Sequence, residues 1–230
     1  MYKPEIIYED NHIIAVNKPG GMLVQGDETG DKPLSEFIKE YIKVKYKKPG
    51  DVFLGVVHRI DRPVSGAVIF ARTSKALERM NKIFAEREVE KNYWALVKER
   101  PDPFYGTLVH YLDKDHDKNV TKALDGPSRR HPDAKKSELY YELILSIGNY
   151  HLLAVKPTTG RSHQIRAQLS RIGIPIKGDM KYGYPTPDAD GNISLHCRSM
   201  KFTHPVTHVE VTVTADPPAN QIWNQYMKSI

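Results

Sequence analysis

Two short apolar runs with a charged turn between them constrain this chain more than any other stretch. Val52-Phe53-Leu54-Gly55-Val56-Val57 precedes the turn, and Ala67-Val68-Ile69-Phe70-Ala71 follows it. Runs this short, joined by a segment containing Pro63 and Gly66, predict strand, exposed turn, strand. The turn sets one carboxylate, Asp61, between two arginines, Arg59 and Arg62. A guanidinium within hydrogen-bonding range favours the ionised form of a carboxylate. An ionised aspartate on a fixed turn has the makings of a nucleophile. The same residues also make an ordinary polar loop with a surface ion pair, and the turn alone does not separate the two readings.

The rest of the chain alternates strand and helix signals. Residues 5–19 read as a hairpin turning at Asp10-Asn11, and Gly20-Gly21 follows. Leu34, Phe37, Ile38, Tyr41 and Ile42 keep helical spacing, which predicts an amphipathic helix over 34–44. Residues 45–51 form a basic loop. Ala76, Leu77, Met80, Ile83 and Phe84 predict a second helix over 75–86, with Thr73 or Ser74 as its cap. Val89–Val97 is strand-like by its aromatic and β-branched content. A strand is expected over 107–112, and the polar stretch 113–133 reads as a long exposed loop. Two further strands, 136–147 and 150–156, flank the turn at Gly148-Asn149. A helix opens near Ser162, with Ile165, Leu169 and Ile172 directed at the core and Gly173 ending it. Val209–Val213 alternates as an edge strand, and Ile222, Trp223, Tyr226 and Met227 mark a last helix.

Composition narrows the classes of function. A chain of 230 residues buries a sizeable core, and one domain is expected. The net charge of +6 suits a polyanionic partner. Basic residues cluster at Lys43, Lys45, Lys47 and Lys48, and again at Arg129, Arg130, Lys135 and Lys136. Such clusters track phosphates, although each also serves as a solvated face. The single cysteine, Cys197, gives no disulfide framework within the chain. No Cys/His spacing fits zinc, no apolar run reaches membrane-spanning length, and the amino terminus lacks a secretory apolar stretch. A cytoplasmic protein is expected.

Several runs resemble the motifs of one family, the RluA-type RNA pseudouridine synthases. His58-Arg59-Ile60-Asp61-Arg62-Pro63-Val64-Ser65-Gly66 resembles His-Arg-Leu-Asp-Arg-x-Thr-Ser-Gly, with Ile60 for Leu and Val64 for Thr. Asn17-Lys18-Pro19-Gly20-Gly21-Met22 resembles Asn-Lys-Pro-x-Gly-Met, and Lys91-Asn92-Tyr93 resembles Lys-x-Tyr. Thr159 to Leu169 resembles Thr-Gly-Arg-Thr-His-Gln-Ile-Arg-Val-His-Leu, departing at Ala167-Gln168. Gly178-Asp179-Met180-Lys181-Tyr182-Gly183 resembles Gly-Asp-x-x-Tyr-Gly. With Leu195-His196 and Phe202–Pro205, the matches span residues 17 to 205.

The resemblance implies an α+β fold: a mostly antiparallel mixed β-sheet with flanking helices and a central catalytic cleft. It implies one catalytic domain over 1–230, with no separate S4-type RNA-binding domain. The implied reaction turns uridine in a structured rRNA or tRNA loop into pseudouridine, without cofactor or metal. The catalytic set carried over is Asp61 as nucleophile, Arg166 as its partner, and Tyr93 as base-stacking group and proton carrier. Arg59 takes the place of the flipped base. Arg62 and Arg161 contact RNA, Leu195 packs near the tyrosine, and Lys18 and Pro19 lie beneath the catalytic turn. A monomer is expected. Two rivals stay open at this point: an RNA-binding module without catalysis, and a hydrolase of glycosidic bonds, which ordinarily needs a second carboxylate.

Overall fold

The computed structural model describes residues 2–230. Its first strands are β1 (Glu5–Glu9), β2 (Ile13–Lys18), β3 (Gly55–Val56) and β4 (Ser65–Ala71). The middle strands are β5 (Glu90–Val97), β6 (Tyr105–Asp115), β7 (Val120–Leu124), β8 (Lys135–Ile147) and β9 (Tyr150–Pro157). β10 (Leu195–Thr203) and β11 (Glu210–Thr214) follow. The helices are α1 (Leu34–Lys45), α2 (Ser74–Ala85), α3 (Gln164–Arg171) and α4 (Gln221–Met227). Strands with four accompanying helices make the fold α+β, as the family resemblance implies. The chain forms two compact units, each assembled from two stretches. One comprises the residues through Glu90 with Cys197–Pro218; the other comprises Lys91–His196 with Ala219–Ile230.

In the first unit the β1–β2 hairpin turns on Asp10, whose Oδ1 accepts from the backbone N–H groups of His12 and Ile13. An aspartate bonding the backbone two and three residues on stabilises a turn. β2 runs antiparallel to β4, from Ile13 opposite Ala71 to Lys18 opposite Gly66. Every residue of β4 is buried, so this strand reads as a continuous apolar run and not as an alternation. β10 hydrogen-bonds to β4, and β11 lies antiparallel to β10. α1 buries Leu34, Ile38 and Ile42, the stripe read from the sequence. α2 starts at Thr73, whose side-chain oxygen accepts from the Ala76 N–H at 3.1 Å. The apolar run at 52–57 contributes only Gly55–Val56 to a strand, and Phe53 is 48% exposed.

The second unit orders its strands β5-β9-β8-β6-β7, all antiparallel. α4 packs Trp223 and Tyr226 on Trp94, Leu96 and Leu152. Tyr93 points to the opposite side of β5, because successive strand residues alternate. Register carries that side from Tyr93 to Val155, Tyr141 and Gly106. His110 lies four residues beyond Gly106 on the same side, and Gln168 of α3 hydrogen-bonds there to His110 and to the Leu108 carbonyl. Tyr93 and α3 therefore share one face of this unit's sheet.

Two expectations change here. The stretch 113–133 is not all loop: β6 runs on to Asp115 and pairs with β7 from Tyr111–Leu124 to Asp115–Val120. Polar residues hid this ribbon, in which the buried position of β7 is Thr121. Ile172 is not a core residue but 38% exposed. The helix ends before it, and the Gly173 N–H closes on the Ser170 carbonyl.

Candidate active site

The Asp61 turn belongs to the first unit. Ile60 and Val64 are buried on either side of it, and the Val64 N–H donates to the Asp61 carbonyl at 3.0 Å. Gly66, just beyond, has φ +117°, and a Cβ there would fall 2.3 Å from the Cys197 carbonyl oxygen. Only glycine fits that approach. His58 is a strut: its Nε2 accepts from the Ile69 N–H at 3.0 Å, and its ring stacks on Phe84.

Lys18 lies beneath the turn and is 0% exposed. Its ammonium donates to the carbonyls of Pro19 (2.9 Å), Met22 (2.8 Å) and Arg62 (3.1 Å). Burial pushes its pKa down to about 7, with the charge of Asp61 acting against that fall and Arg62 adding to it. Arg62 ties the turn to residues 19–31: its Nε donates to the Gly21 carbonyl at 3.0 Å, and its Nη2 lies 2.7 Å from Asp31. The Gly21 N–H donates back to the Arg62 carbonyl at 2.8 Å. Arg59 is exposed.

The second unit carries Tyr93, Arg161, Arg166 and Leu195. Tyr93 is half-buried on β5, Arg161 is exposed before α3, and Leu195 is buried at the start of β10. Gln164 locks the turn into α3. Its Oε1 accepts from the Thr159 hydroxyl and the Arg161 N–H, and its Nε2 donates to the Glu138 carbonyl. His163, the residue before the helix, takes φ +52°. All of Gln164 to Leu169 is buried, so α3 has no solvent stripe and its polar side chains need internal partners.

Arg166 has such a partner in Asp179. Nε donates to Oδ2 at 2.7 Å and Nη2 to Oδ1 at 2.8 Å, a bidentate pair. The guanidinium lies 4.9 Å from the centre of the Tyr182 ring. The Tyr182 hydroxyl accepts from the Thr121 N–H at 2.8 Å and lies 2.8 Å from His163 Nδ1. Burial pushes the Tyr182 phenol up, against the opposing Thr121 N–H and Arg166 charge. The sequence reading gave Asp179 and Tyr182 no task. The signal was present in the Gly-Asp-x-x-Tyr-Gly run, but nothing in the run says which side chain the acid meets. No group of three or more His, Cys, Asp or Glu among the described residues is arranged to hold a metal.

Comparison with known proteins converges on one class. Residues 12–171 match the model of the RNA pseudouridylate synthase family. The chain is 32% identical to tRNA pseudouridine synthase C of Vibrio vulnificus, over 96% of this chain and 93% of the relative. It is 35% identical to ribosomal large subunit pseudouridine synthase D of Borreliella burgdorferi, over 77% of this chain and 54% of the relative. The solved structure of human RNA pseudouridylate synthase domain containing 4 has the same fold, with a TM-score of 0.79 and 22% identity over 96% of this chain and 92% of that one. An α+β chain of this kind is an RNA-modifying isomerase. It belongs to the RNA pseudouridine synthase family, among the RluA-type members.

Proposed function

We propose that this chain isomerises uridine in transfer RNA, working as one catalytic domain with Asp61 as nucleophile. The observation that carries the proposal is the Asp61 turn itself. Its acid is retained within the family's motif, and its backbone is held from below by the buried ammonium of Lys18. A module that only bound RNA would gain nothing from a carboxylate there, since it repels phosphate. Transfer RNA is favoured over ribosomal RNA by extent of match. The relative named for tRNA is 32% identical over 96% of this chain, whereas the match to the ribosomal enzyme from Borreliella reaches 77% of this chain.

In the reaction the bond from uracil N1 to the sugar C1′ breaks and a bond from C5 to C1′ forms. The C5 hydrogen leaves as a proton and N1 gains one, so no electrons are exchanged and the balance closes without a cofactor. Asp61 supplies the nucleophilic oxygen, whose bond to the nucleoside is transient and is broken again before the product leaves. Arg166 orients that carboxylate. Tyr93 offers a flat ring to the base and a hydroxyl to carry the proton. Flipping the nucleotide costs a few kcal/mol, and Arg59, exposed on the turn, fills the vacated stack. Arg62 and Arg161, both exposed, complete the RNA-facing set, and the buried Leu195 packs near the tyrosine. A cytoplasmic location fits the single cysteine, and no helix among the described residues is long and apolar enough to cross a membrane; the working unit in this reading is a monomer.

Tritium release from tRNA and rRNA labelled at uracil C5 tests this directly. Release from tRNA with wild-type protein and none with Asp61→Asn is the expected result. Release by Asp61→Asn, or free uracil among the products, would overturn it.

A further inference from the structure

We infer that Asp179 and Tyr182 are positioning residues for the uridine isomerisation, acting by fixing the plane and direction of the Arg166 guanidinium. The inference rests on the reading that Arg166 orients the nucleophilic carboxylate.

Asp179 is 1% exposed and Arg166 5%. Two buried charges this close gain from meeting, but a buried ion pair is weak evidence for stability, because apolar groups of similar volume often serve as well. What the pair does provide is direction. Two parallel N–H donors on one carboxylate fix the guanidinium in its own plane. The Tyr182 ring then covers one face. That ring cannot swing away, since its hydroxyl is held both by the Thr121 N–H and by His163 Nδ1. Thr121 is itself tied to the start of α3, its hydroxyl donating to the Ser162 carbonyl at 3.0 Å.

The backbone that presents the acid is equally constrained. Gly178 has φ +83°, and a Cβ there would fall 2.7 Å from the Asn192 carbonyl oxygen. The Asp179 carbonyl accepts from the N–H groups of both Tyr182 and Tyr184 at 3.0 Å. Edge, face and supporting turn are thus all specified. Such a shell is what holding a reacting group within about 0.5 Å requires. With Asp179 taking the Nε and Nη2 edge, Arg166 serves as an aimed donor whose charge is largely balanced, and not as a free cation.

Steady-state kinetics on labelled tRNA with the full chain test this, using Asp179→Asn, Arg166→Lys and the double variant. Asp179→Asn is expected to lower kcat by about 30- to 100-fold while KM for RNA stays within about twofold. In the Arg166→Lys background the same change is expected to cost less than about threefold more, since its effect passes through Arg166. Losses that multiply independently, or an unchanged kcat in folded Asp179→Asn, would overturn the inference while leaving the role of Arg166 intact. Wild-type kcat in Arg166→Lys would overturn both. Should Asp179→Asn fail to fold by circular dichroism, Tyr182→Phe decides, since it removes only the hydroxyl. A kcat lowered about fivefold, without further loss in Arg166→Lys, supports the inference, and an unchanged kcat refutes it.

Discussion

The ammonium of Lys18 reaches the carbonyl oxygen of Arg62 at 3.1 Å, and by that bond the end of β2 supports the turn that carries Asp61. The Pro19 and Met22 carbonyls complete the cradle. An uncharged side chain of similar length would leave three acceptors without a donor, at about 1–3 kcal/mol for each that stays dry.

Lys18 also sets a pH dependence of stability. Its pKa falls from 10.5 in the free residue to about 7 in the fold. Between those values the unfolded chain holds a proton that the folded chain has lost. Stability therefore rises with pH across the window and levels off above it. Urea unfolding of wild type and Lys18→Met from pH 6.5 to 9.5 should show the difference moving in favour of wild type, at up to about 1.4 kcal/mol per pH unit. A difference that does not vary with pH would refute this.

Gly66→Ala should cost about 4 kcal/mol or more, because its Cβ would strike backbone and not a movable side chain. Chemical denaturation checks it, and a loss under about 1 kcal/mol would mean that β4 and β10 can separate locally at little cost.

Thr73→Ala should destabilise the chain by about 1 kcal/mol through loss of the bond to the Ala76 N–H. Thr73→Ser, which keeps the oxygen, should recover most of it. The thermal midpoints of the three proteins provide the comparison.

Arg129 and Arg130 stand exposed on a tight turn closed by the His131 N–H on the Ser128 carbonyl. Replacing both with alanine should weaken RNA binding and reduce the slope of log K against log salt by about 1 to 2, as expected for one or two lost phosphate contacts. Titration of labelled tRNA at several salt concentrations measures the slope. An unchanged slope would place the RNA elsewhere.

The elements legible in the sequence are those whose burial follows one period. α1 and α2 each bury a stripe at helical spacing, and Thr73 marks its helix start as the residue type predicts. α3 was legible as a helix but not as a buried one. Arg166 reads from the resemblance as the partner of Asp61 and Gln168 only as a departure from the motif, whereas in the fold Asp179 meets the first and His110 and Leu108 the second. β7 escaped notice because its one buried residue is a threonine. Asp61 stood out by its company of arginines, whereas Asp179 depends on a partner thirteen residues away that no local pattern names.

Each unit is stitched from two separated stretches. β4, the most buried strand of the first unit, finds its neighbour β10 only when residues 197–203 arrive. A nascent chain leaving the ribosome therefore carries an apolar edge through the synthesis of the whole intervening segment. A fragment ending at Glu90 would keep that edge bare except where β3 covers Phe70 and Ala71, and should aggregate when expressed alone. Truncation before Cys197 consequently takes a stretch from both units at once, and the chain matures late instead of piece by piece.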